Sequence, residues 1–114
     1  MAPADPSTSA TSAAANRAVV DAARDVVLML EERIAANEVL TQDFVERYCT
    51  ASCRLADART TVATSDDDRR AAIEEHLDRL QRFRASLEGL RDGSPSRFVQ
   101  VDYFIAVARA RVAR

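Results

Sequence analysis

From Asn16 onward the apolar residues return every three or four positions, and four segments separate along the chain. That spacing belongs to amphipathic helices, and no run alternates with the period of two that a half-buried strand requires. The first segment runs from about Asn16 to Ala36. It gathers Val19, Ala23, Val26, Val27, Leu30 and Ile34 on one arc and leaves Asp21, Arg24, Asp25, Glu31 and Glu32 on the other. Asn37 follows, a residue suited to closing a helix in the left-handed conformation. The second segment, about Thr41 to Ala63, carries Phe44, Tyr48, Ala51, Leu55, Ala58 and Val62 as an inward stripe, with Thr41 as its N-cap.

Ser65 followed by Asp66, Asp67 and Asp68 starts the third segment. The serine can cap, and the three carboxylates sit where the helix dipole favours negative charge. This helix extends to about Arg91 and is expected to bury Ile73, Leu77, Leu80, Phe83, Leu87 and Leu90. The acid-before-base pairs Glu75–Arg79 and Asp78–Arg82 are expected to support its outer face. Asp92 to Ser96 reads as a turn, with Gly93 ending one helix and Ser96 capping the next. The last helix, about Arg97 to Arg114, has an inner stripe of Phe98, Val101, Ile105, Ala108 and Val112.

Short connections force neighbouring helices to run antiparallel. The expectation is therefore an all-α fold: an antiparallel four-helix up-down bundle made of two helical hairpins. Its single domain covers residues 16–114, with Leu55, Val26, Leu80 and Ile105 in one core. Residues 1–15 are small, polar and proline-spaced, and they read as a disordered tail. The two halves also echo each other when offset by 55 residues: Phe44 then matches Val99, Tyr48 matches Tyr103 and Ala51 matches Ala106. Helices of equal pitch produce such matches by chance as readily as duplication does.

Composition narrows the chemistry. The 114 residues include two glycines, one histidine and no lysine. A glycine-rich phosphate loop, a two-histidine metal site within one chain and Schiff-base catalysis are thereby excluded. A formal charge of −2 implies neither a polybasic nor a polyacidic partner. The chain's beginning lacks the basic start and apolar run of a secretory signal, and no apolar segment approaches the ~20 residues that span a bilayer. A cytoplasmic protein without membrane insertion is expected, with an envelope location left open.

Single residues carry what chemistry remains. His76 falls among Ile73, Leu80, Phe83 and Leu87 on the wheel and is expected to be a core histidine bonded to a neighbouring side chain or carbonyl. Cys49 and Cys53 share a helix face and, with His76, form a low-ranking three-ligand metal candidate. The wheel sets both thiols at or past the edge of the apolar arc, so no metal and no cofactor are expected. Arg59, Arg84, Asp102 and Arg109 interrupt apolar faces. A buried charge costs several kcal/mol unless it is paired, so these must pair, reach solvent or face another chain, and Asp102 pairs with Arg84 or Arg109 in the simplest case.

The phrases Leu-Glu-Glu-Arg, Asn37…Thr41…Phe44-Val45, Glu-Glu-His-Leu at 74–77 and Gly93…Ser96…Phe98-Val99 give the chain a resemblance. It resembles the helical hairpins of TolC-like outer-membrane efflux proteins. It is also similar to a set of short, uncharacterised bacterial all-helical proteins that share these phrases. The resemblance covers about 80 residues and implies helical hairpins, with no catalytic or binding residue to carry over.

Three functions are weighed. The favoured one is a non-enzymatic interaction or scaffold module that self-associates or binds a partner helix. The alternative is a thiol- or metal-responsive bundle using Cys49, Cys53 and His76. The third, a nucleic-acid accessory using Arg97, Arg109, Arg111 and Arg114, is disfavoured because these arginines alternate with acids and no reader motif is present.

Overall fold

Two hydroxyls start the middle helices. Thr41 Oγ1 accepts the Phe44 amide at 3.1 Å, and Ser65 Oγ accepts the Asp68 amide at 3.1 Å. Each satisfies one of the amides that a helix start leaves without a partner. In the computed structural model the chain forms α1 (Pro6–Ala35), α2 (Gln42–Val62), α3 (Asp66–Glu88) and α4 (Pro95–Ala113). The structure describes residues 6–36, 41–89 and 95–114, with side-chain environments from residue 12 in α1 and residue 97 in α4. Among these residues every element is helical, and no helix is long and apolar enough to cross a membrane.

The helices pack as an antiparallel up-down bundle, and α2 is the shared member, lying against α1, α3 and α4. The core is built from Val20, Val27 and Leu30 of α1, Val45, Tyr48 and Leu55 of α2, Leu80, Phe83 and Leu87 of α3, and Val101 and Ile105 of α4. Phe83 is its aromatic centre. Its ring lies 4.5 Å from that of Tyr48 and 6.4 Å from that of Phe44, both tilted, within the range where aromatic pairs attract beyond their buried area.

Several expectations are corrected. Helix α1 begins at Pro6, so residues 6–15 are helical rather than a disordered tail; residues 1–5 lie outside the described residues. Alanine is the strongest helix former, and this stretch supplies Ala10, Ala13, Ala14 and Ala15. Ser12 to Val19 are nevertheless all exposed, so this part of the helix docks on nothing in the chain. Val26 is also misplaced: it is 43 % exposed, while Val27 takes the core position. The buried stripe of α1 is Val20, Ala23, Val27, Leu30 and Ile34. Val19 and Val26 each precede a member of it and so point about 100° away.

Helix α4 begins at Pro95, so Ser96 lies inside the first turn instead of capping it. Proline suits a first helical position, because its missing amide has no helical partner there. The expected closures at Asn37 and Gly93, and the burial of Leu90, fall outside the described residues. The 55-residue echo matches unlike environments: Tyr48, Phe44 and Ala51 are buried, whereas Tyr103, Val99 and Ala106 are exposed.

Core and strip respond differently to truncation. Leu55→Ala is expected to cost about 2–5 kcal/mol, as buried leucines do, and Val26→Ala to stay within about 0.5 kcal/mol in the monomer. Urea denaturation of the two variants checks this, and equal losses would mean that Val26 is packed as tightly as the Leu55 core.

Candidate functional site

One buried polar cluster joins α2 to α3. His76 and Arg79 are three residues apart on α3 and therefore share a face, and both meet Ser52 of α2. Arg79 Nε donates to Ser52 Oγ at 2.9 Å, and Ser52 Oγ lies 2.7 Å from His76 Nδ1. Arginine only donates, so the Ser52 hydroxyl takes that bond on a lone pair; its proton and second lone pair can serve either tautomer of His76 at Nδ1. His76 is neutral at pH 7, because its burial disfavours the charged ring. Arg79 also donates from Nη2 to the Ser52 carbonyl at 3.5 Å and from Nη1 to Glu75 Oε1 at 3.0 Å.

The electrostatics follow from burial. Arg79 is 4 % exposed and His76 2 % exposed. Burial first, then the charges of Arg79 and Arg111, hold the His76 pKa down at about 4, against a smaller upward pull from Asp57. Burial likewise lowers the pKa of Arg79 from the usual guanidinium value. At the other end of the cluster the Tyr48 hydroxyl donates to Glu31 Oε2 at 2.9 Å, tying α1 to α2. Burial and that bond raise the tyrosine pKa well above its usual value.

The thiols are both free. Cys49 is fully buried rather than at the margin the wheel suggested. The wheel assumes one inward stripe, but α4 covers a second side of α2, where Arg111 reaches Asp57 at 3.0 Å. Burial, helped by the neighbouring Cys53, pushes the Cys49 thiol up to about 12. Cys53 is half-buried, and burial and then Asp57 raise its pKa too. Raised thiol pKa values work against metal binding, since the thiolate is the ligand. Cys49, Cys53 and His76 do not converge: among the described residues no group of three or more His, Cys, Asp or Glu side chains is arranged to hold a metal ion.

The charged residues singled out from the sequence lie at the margins of the faces instead of within them. Arg84 is half-buried, donates from Nε to Asp102 at 2.7 Å, also pairs with Glu88, and lies over the Phe98 ring at 5.1 Å. It ties α3 to α4 through an ion pair and a cation–π contact. Arg59 pairs with Glu75, the carboxylate that also holds Arg79. Asp102 and Arg109 are exposed. The charge in the core is Arg79, which the sequence had placed on the outer face. Its Glu75 partner is as expected, but Ala72, His76, Arg79 and Phe83 are spaced 4, 3, 4 and form a second buried stripe on α3. That spacing was the available signal for Arg79. Nothing in the local sequence marked Ser52.

A second region is open. Between α1 and α2 runs a groove with a cavity of about 440 Å³, lined by Ala23, Val26, Asp43, Glu46, Arg47, Thr50, Ala51 and Arg54. It continues toward the start of α1 past Val19 and Ala22. Val19, Val26 and Met29 are exposed large apolar residues along this side of α1, and Val99, Tyr103 and Val107 form a shorter strip on α4.

Fold and site together define a small helical bundle with a sealed polar pin and an open apolar groove. No protein-family model, curated protein or solved structure matches the chain.

Two outcomes follow from the cluster. The folded pKa of His76 lies below the 6.5 of an unperturbed histidine, so the unfolded chain takes up a proton first as pH falls. The histidine's contribution is complete above about pH 6.5, declines below it and is lost by about pH 4, a change on the order of 3 kcal/mol. Comparing denaturant midpoints across that window with those of His76→Gln, which keeps an acceptor for Ser52, isolates the effect; equal slopes would show that His76 is not held neutral. In alkylation followed by mass spectrometry, Cys53 is expected to react in the native protein and Cys49 only after unfolding. Equal rates would show that the α2–α4 contact opens readily.

Proposed function

We propose that this protein is a non-enzymatic helical interaction module that binds a partner through the open face of α1 and α2. The observation that carries this reading is the strip of Val19, Val26 and Met29, left exposed beside an apolar groove although α1 has a complete inner stripe of its own. Apolar residues scattered singly on a surface are ordinary, but a contiguous strip beside a groove marks a contact surface. The residues with reactive chemistry support the same reading from the other side. Ser52 and His76 have the spacing of a nucleophile and its base, but both are buried and the serine oxygen already accepts from Arg79. Cys49 is sealed and protonated at neutral pH. These groups hold helices together.

A photo-cross-linking amino acid at Val19 or Met29, introduced in the native cell, tests the reading. A discrete cross-linked protein adduct is expected from these positions and none from Ser86, which is exposed on α3. Absence of an adduct at the strip, or the same pattern from Ser86, would refute it.

A further inference from the structure

We draw no further inference here: the strongest candidate, the groove between α1 and α2, carries Asp43 and Glu46 beside Arg47 and Arg54 on its α2 side, and nothing in the structure shows what covers it.

Discussion

Arg79 carries a full charge into the α2–α3 interface, and the arrangement of both helices depends on how that charge is satisfied. Removing a guanidinium from water costs several kcal/mol unless its donors find partners. Here α2 supplies the Ser52 hydroxyl and carbonyl, and Glu75, one turn earlier on α3, supplies a carboxylate. These groups have fixed positions along their helices, so α2 and α3 cannot slide by a turn without stranding the charge. The neutral state of His76 belongs to the same interface: burial first, and then the nearby charge of Arg79, hold its pKa down while Nδ1 lies against the Ser52 hydroxyl that binds the arginine.

Around this pin the bundle is organised asymmetrically. Helix α2 has neighbours on three sides, so its buried arc is wide and includes Cys49 and Ser52 as well as the Phe44–Leu55 stripe. Helices α1 and α4 are the outer members, and among the described residues no α1 Cα approaches an α4 Cα within 8 Å. Each outer helix therefore keeps a side without a neighbour. On both, that side carries apolar residues: Val19, Val26 and Met29 on α1, Val99, Tyr103 and Val107 on α4. The stabilising chemistry lies inside and the apolar surface left over lies outside, a division suited to a protein that acts by association.

The peripheral ion pairs are of a different kind from the pin. Arg84 bridges α3 to α4 at half-burial, where water screens much of the attraction, and its position over Phe98 packs its stem as much as its charge. Such pairs select register at the hairpin level while contributing modestly to stability.

The sequence by itself determined the helical class, the number of helices, the caps at Thr41 and Ser65 and the core histidine. Each of these depends on residues a few positions apart or on the wheel of one helix, where spacing alone fixes which side chains meet. The tertiary structure decided which of two adjacent apolar stripes on α1 faces inward, why Val27 is core and Val26 is not, how Cys49 becomes sealed, and that Arg79 rather than Asp102 or Arg109 is the buried charge. A wheel records the directions side chains point but not how many neighbours a helix has. For α2, with three neighbours, it underestimated the buried arc; for α1, packed mainly on one, it overestimated it. Ser52 was illegible for the same reason: a serine inside a helix gains its meaning only when another helix brings an arginine and a histidine to its oxygen.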